Sequence, residues 1–182
     1  MVYFTEDWFS TNIPKWTEVF EKYNRDSWKC LEIGSYQGRS CLWMLENVPN
    51  IESITCIDTF EGSPEHSNEQ KSNLYEIFTN NIKGHEDKII IKKGYSNDVM
   101  MGIENEMYDF IYIDGSHEKH NVIFDAVLCF DKLKSGGVMI FDDFQSVIMG
   151  YGAQIGFMNF YNCYCHLFDV YHMGYQIILI KK

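Results

Sequence analysis

Apolar positions along this chain follow two rhythms that alternate: short unbroken runs, and stripes at helical spacing. The runs cover residues 30–33, 53–57, 88–91, 109–113 and 137–141, each followed closely by glycine or aspartate. Apolar runs this short, without polar alternation, predict strands buried on both faces. Ahead of them, Ile13, Trp16, Val19, Phe20 and Tyr23 recur on one helical face, and Pro14 suits the first turn of that helix. Further helices are predicted over residues 39–46, 74–82, 98–103, 122–133 and 150–161. In the stretch 122–133, Val122, Ile123, Ala126, Val127, Phe130 and Leu133 share one side. Residues 59–73, with Gly62 and Pro64, read as a polar loop, and 164–170 with 175–180 read as a hairpin turning at Met173 and Gly174.

Strands that alternate with helices predict a parallel sheet covered on both faces. The closing pair is joined by too few residues for a parallel crossover and must be antiparallel. The expected fold is therefore α/β: a three-layer sandwich whose mostly parallel, seven-stranded sheet has an antiparallel C-terminal hairpin strand. One domain is expected over residues 1–182, with 1–27 as an N-terminal helical extension packed on the sheet.

Composition narrows the partners more than the fold. A chain of 182 residues, 46% hydrophobic and 23% charged, can bury one sizeable core. A net charge of −11 argues against a nucleic-acid partner, which needs a basic face, and against anionic membrane surfaces. A small-molecule or glycan acceptor fits that balance better, and homo-oligomer formation stays open. Of the six cysteines, Cys30 and Cys56 sit in strand patterns and Cys41 and Cys129 in helical ones, where reduced buried thiols are common. No basic segment followed by an apolar core opens the chain, and no apolar run reaches membrane-spanning length. A soluble, reducing, cytoplasmic setting is the expectation. The cluster of Cys163, Cys165 and His166 falls in a predicted strand, where alternation would scatter its side chains, so it reads as core and not as a metal site.

The candidate chemistry lies at the strand ends, where open α/β sheets bind their ligands. These ends are residues 32–38, Asp58, residues 94–96, Asp114, and the pair Asp142 and Asp143; four of the five carry acidic side chains. A strand that breaks at glycine and re-enters as a helix leaves backbone N–H groups directed into a crevice. The pattern at 32–38, Glu-x-Gly-x-x-x-Gly, lacks the middle glycine of the dinucleotide fingerprint, and an acidic residue before the turn suits a ligand bearing an amine. Asp58 can accept both hydroxyls of a ribose or cap its turn.

Residues 32–40, Glu-Ile-Gly-Ser-Tyr-Gln-Gly-Arg-Ser, resemble motif I of class I S-adenosylmethionine-dependent methyltransferases, in the form found in catechol-type O-methyltransferases. Asp-Thr-Phe-Glu-Gly at 58–62, Gly-Tyr-Ser at 94–96, and segments 108–117 and 133–143 follow in the order of the remaining motifs. The first of these, with the Asp-x-x-His of 114–117, resembles the macrocin-type sugar O-methyltransferases, so the resemblance runs from about residue 28 to the end. It implies a Rossmann-like sheet and S-adenosylmethionine as cofactor. Gly34, Ser35, Tyr36, Gly38 and Ser40 would hold the methionine moiety, with Glu32 near its amine. Asp58 would take the ribose hydroxyls with Thr59 beside it, Tyr95 and Ser96 would flank the adenine, and Asp114 would also touch the cofactor.

The resemblance also places a divalent metal at Asp114, Asp142 and Asp143. Three gathered carboxylates repel one another unless one is protonated or a hard cation such as Mg²⁺ joins them. Asp143 is equally able to cap the following segment. His117, three residues after Asp114, is the candidate general base, since a neutral imidazole can take a hydroxyl proton; His120 and His66 read as structural or solvated. The expected function is metal-assisted O-methyl transfer to a hydroxyl of a sugar, glycan or glycosylated small molecule. A catechol-like acceptor, a non-catalytic S-adenosylmethionine binder and a dinucleotide-dependent oxidoreductase are the alternatives.

Overall fold

The computed structural model describes residues 2–63 and 66–182; Pro64, read as part of the polar loop, lies outside them. The sheet is built from β1 (Trp28–Ile33), β2 (Ile51–Asp58), β3 (Ile89–Lys93), β4 (Tyr108–Ile113), β5 (Leu133–Phe141), β6 (Phe168–Met173) and β7 (Ile177–Lys181). Their spatial order is β3-β2-β1-β4-β5-β7-β6. β1 pairs in parallel with both β2 and β4, and β5 pairs antiparallel with β7. The chain thus moves outward from β1 to one edge, then returns to the far side of β1 through β4. That reversal opens a crevice beyond the carboxyl ends of β1 and β4.

The helices are α1 (Ile13–Lys22), α2 (Arg39–Asn47), α3 (Asn68–Lys71), α4 (Leu74–Asn81), α5 (Ser96–Met100), α6 (Lys119–Lys132) and α7 (Gly152–Tyr164). None among the described residues is long and apolar enough to cross a membrane. Strand alternation divides the core between the two faces of the sheet. In β4, Phe110 and Tyr112 face α1 and α2, packing with Trp16, Phe20 and Trp28, while Ile111 and Ile113 join the layer of Ala126, Cys129, Phe157 and Phe160 from α6 and α7. Trp16 is fully buried, its indole N–H donates to Gln176 Oε1 at 2.8 Å, and its ring lies 4.8 Å from that of Tyr112. A tryptophan used this way needs a polar partner for its one donor, and the hairpin supplies it.

The C-terminal hairpin differs from expectation at its first strand. The pattern suggested residues 164–170; α7 instead runs to Tyr164, a 3-10 turn covers Cys165–Leu167, and β6 begins at Phe168. The reason is an aromatic ladder at helical spacing. Phe160 stacks on Tyr164 at 4.6 Å, and Tyr164 meets Phe130 of α6 at 4.8 Å, contacts that require helix and not strand. Cys163, Cys165 and His166 consequently lie exposed, not in the core. The polar loop also contains one turn of helix, α3, and β5 starts at Leu133, four residues earlier than its apolar run.

Candidate active site

The first wall of the crevice is made of backbone. Gly34 follows β1 at φ +87°, and a Cβ placed there would lie 2.0 Å from the carbonyl oxygen of Asp114, so the β1 and β4 ends can approach only over glycine. Gly38 sits at φ +80° before α2, against the ring of Phe78. Asp58 ties the two neighbouring turns together: its Oδ2 accepts from the Tyr36 N–H at 2.7 Å and its Oδ1 from the Phe60 N–H at 2.6 Å. Burial raises its pKa, and these N–H groups pull it back. Glu32 is fully buried and accepts the hydroxyl of Ser40. Burial pushes its carboxyl up to about 7, against the opposing pull of Ser40 and Ser35.

The facing wall is made of side chains. The Tyr112 hydroxyl lies 2.9 Å from Asp114 Oδ2 and also against Asp142 Oδ2. A single hydroxyl has one proton to offer two carboxylates, so the pair stays under-satisfied unless one carboxyl is protonated or a cation joins them. Gln176 Nε2 donates to Asp142 at 2.9 Å, and the Asp143 N–H does so at 2.7 Å. Burial and the neighbouring carboxylates Asp142 and Asp143 hold Asp114 well above the usual carboxylate range. Asp142 is raised as well, by burial first. Asp143 behaves oppositely. Burial would raise it, but hydrogen bonds from His117 and Tyr175 outweigh burial and keep it below its ordinary value. His117 Nε2 lies 2.7 Å from Asp143 Oδ2, and the Tyr175 hydroxyl donates to Oδ1 at 2.5 Å. One donor atom each from Asp114, His117 and Asp143 fall within 4.8 Å of one another, a set able to hold a cation.

Both walls open onto one cavity of about 1270 Å³. Methyltransferase family 24, described as a methyltransferase domain, has a family model that matches residues 31–144, a range that includes Gly34, Asp58, Asp114, His117, Asp142 and Asp143. This chain belongs to that family.

This chain aligns at 26% identity over 127 residues with uncharacterized protein R132 of Acanthamoeba polyphaga mimivirus, covering 68% of this chain and 54% of that one. It therefore spans about half the length of that curated relative. Among solved structures, the O-methyltransferase from Bacillus cereus in complex with SAH superposes with a TM-score of 0.71 at 19% identity, over 98% of this chain and 84% of that one. MycE, from the mycinamycin biosynthetic pathway, was solved with Mg, SAH and mycinamycin VI; it superposes with a TM-score of 0.65 at 14% identity, over 97% of this chain and 50% of that one. At these identities the likeness is one of fold.

In this chain, Gly34, Tyr36, Asp58, Thr59, Tyr95, Ser96, Asp114, His117, Asp142 and Asp143 all line the large cavity. Ser35 and Ser40 line a small chamber of about 60 Å³ that shares Trp8, Gly34, Tyr36 and Asp114 with the large cavity and is also lined by Phe4 and Phe9. Glu32 and Gly38 line neither, the first standing behind Ser40 and the second shaping the start of α2. Asp142 is gathered with the others but is held by Tyr112 and Gln176, outside the converging set of three donors. Sequence reasoning missed Tyr112, Tyr175 and Gln176. Tyr112 is hidden in an apolar strand, and the other two reach the site only because the hairpin places β7 beside β5. It also missed Asp125, a buried carboxylate inside the apolar stripe of α6 that lines the cavity. A charge on an otherwise apolar helical face was the available signal.

Proposed function

We propose that this methyltransferase transfers the methyl group of S-adenosylmethionine to a hydroxyl of a sugar, glycan or glycosylated small molecule, assisted by a divalent ion such as Mg²⁺. The observation that carries this reading is the pairing, across one cavity, of a glycine-only backbone cradle with an Asp–His–Asp cluster. A non-catalytic binder would need the first and not the second. The residues present fit both groups. The cradle at Gly34 has no room for a side chain, and the chamber beside it is lined by the hydroxyls of Ser35 and Ser40. On the far wall, hard carboxylate oxygens of Asp114, Asp142 and Asp143 match the preference of Mg²⁺.

When bound, S-adenosylmethionine offers a methyl group on positively charged sulfur, and the ion acidifies a hydroxyl that chelates it. This chain's own work is to orient and to remove one proton. His117 takes that proton, and Asp143, already bonded to its ring at 2.7 Å, holds the imidazole in place and stabilises the imidazolium that forms. Tyr175 and Gln176 fix the carboxylates from the hairpin side. Gly152 at the start of α7 lets the backbone press on the His117 loop, since a Cβ there would lie 2.0 Å from the His117 carbonyl oxygen. That packing limits the freedom of the base. MycE, which shares this fold, was solved with Mg, SAH and mycinamycin VI.

The test is a mass gain of one methyl on glycosides carrying free hydroxyls, incubated with S-adenosylmethionine and Mg²⁺, and repeated with EDTA. Unchanged turnover in EDTA removes the ion from the mechanism. Tighter binding of NAD than of S-adenosylhomocysteine overturns the cofactor.

A further inference from the structure

Glu32, Cys41 and Cys56 form a second cluster of metal-ligating side chains, fully buried behind the backbone wall and used by no step of the reaction. Glu32 and Cys56 are register partners on the adjacent strands β1 and β2, so their side chains share one face of the sheet. Cys41, the residue after Ser40 in α2, packs in the same core layer. One donor atom from each of the three falls within 4.8 Å of the others. The Cys41 and Cys56 sulfurs stand 3.7 Å apart. Tetrahedral Zn²⁺, with bonds of about 2.3 Å to sulfur, sets two thiolates about 3.8 Å apart, so this pair is already spaced to hold it. Glu32 points independently to a ligand. Its Oε1 accepts the Ser40 hydroxyl, but among the described residues its Oε2 has no hydrogen-bond partner. Glu32 lines neither the large cavity nor the small chamber, which leaves that oxygen to a group inside the fold. The charge that acts on it is a further carboxylate, Asp58. A buried acceptor in such surroundings calls for a donor or a cation.

We propose that Glu32, Cys41 and Cys56 form a closed site for a thiophilic divalent ion of the Zn²⁺ type, which ties β1, α2 and β2 together behind the glycine turn. The site goes beyond the proposed reaction and does not depend on it. Thiolates favour Zn²⁺ and exclude Mg²⁺, so the cluster is chemically distinct from the oxygen-rich set at Asp114. On binding, each thiol releases its proton to solvent, and two thiolates and one carboxylate face the ion's two positive charges. The hydrogen bond with Cys56, then burial, push the Cys41 thiol well up, so it stays protonated until an ion displaces that proton.

Titration with Cd²⁺ tests this on the full chain carrying Cys163→Ser and Cys165→Ser, changes that remove the exposed thiols. Refolding from urea with Cd²⁺ present lets the ion reach ligands that are buried in the fold. A near-ultraviolet thiolate-to-cadmium absorption band is expected to saturate at one ion per chain, to fade when Zn²⁺ competes, and to persist in excess Mg²⁺. The Asp114 set contains no sulfur and gives no such band. Cys41→Ala is expected to lower Cd²⁺ affinity by at least about 100-fold, and Glu32→Gln by about 10-fold. Thermal melting reports folding, and Glu32→Gln, closest to the native shape, carries the test where the alanine variant unfolds. Absence of the band in the refolded protein overturns the site and leaves Cys41 and Cys56 as core thiols. A band unchanged in Cys41→Ala, or an affinity unmoved in Glu32→Gln, puts the ion elsewhere and overturns it as well.

Discussion

The two walls of the cavity are built by opposite means. On the β1–β2 side the working surface is peptide backbone, shaped by Gly34 and tied down by Asp58. On the β4–β5 side it is side-chain charge, with Asp114, Asp142 and Asp143 held by Tyr112, Tyr175, Gln176 and His117. Backbone geometry tolerates no change of side chain at its tightest points but carries little charge. The opposite wall is electrostatically loaded and depends on partners from strands far apart in sequence. One wall is therefore sensitive to volume, and the other to protons and cations.

Gly34→Ala should break the comparison most severely, because its methyl meets Asp114 at the point where the walls touch. A loss of roughly 3 kcal/mol in stability is expected from strain and overpacking, together with loss of S-adenosylhomocysteine binding, read by thermal melting and calorimetry. His117→Ala acts on the charged wall alone. Turnover should fall by about 10²–10⁴-fold while cofactor affinity stays within about twofold, and loss of binding instead would refute its role as base.

Glu32 sharpens the contrast, since it is a carboxyl buried behind the backbone wall. Its folded pKa of about 7 lies above its ordinary value of 4.5. The stability it contributes is complete below pH 4.5 and is lost as the pH rises through about 7, because the unfolded chain releases its proton first. The loss is about 3 kcal/mol on this group alone, at 1.36 kcal/mol per unit. Glu32→Gln should therefore gain on the unaltered protein as pH rises from 5 to 8 in paired melts; parallel curves would show that Glu32 is ionised in the fold. Tyr112→Phe is expected to have the smallest effect. It removes the hydroxyl shared by Asp114 and Asp142, costing about 1–3 kcal/mol and making activity more dependent on added Mg²⁺. An unchanged Mg²⁺ requirement would separate Tyr112 from the cation.

Most of the sheet was legible because its signals are local. Strand runs, glycine breaks and helical stripes lie within a few residues of one another, and β1 through β5 fall where those runs stand. The first hairpin strand was misplaced because Tyr164, at the start of the expected strand, is an aromatic residue that suits a strand as well as a helix. Only its packing on Phe160 and on Phe130 of α6 settles which.

The candidate site divides in the same way. Its backbone wall is short-range, so Gly34, Gly38 and Asp58 could be singled out from spacing alone. The sequence by itself also determined which acidic residues stand at strand ends, because each follows directly on an apolar run. Tertiary structure alone decided that Asp143 binds His117, that Tyr112 bridges two carboxylates, and that Tyr175 and Gln176 arrive from the hairpin. It alone decided that Asp125 turns from an apolar helix face into the cavity. Apart from the step from Tyr112 to its near neighbour Asp114, the hydrogen bonds and the ion pair among these residues run across 26 to 34 residues of chain. No local preference encodes them: the hydrophobic pattern says which face a residue takes, and only the packed sheet says what it meets there.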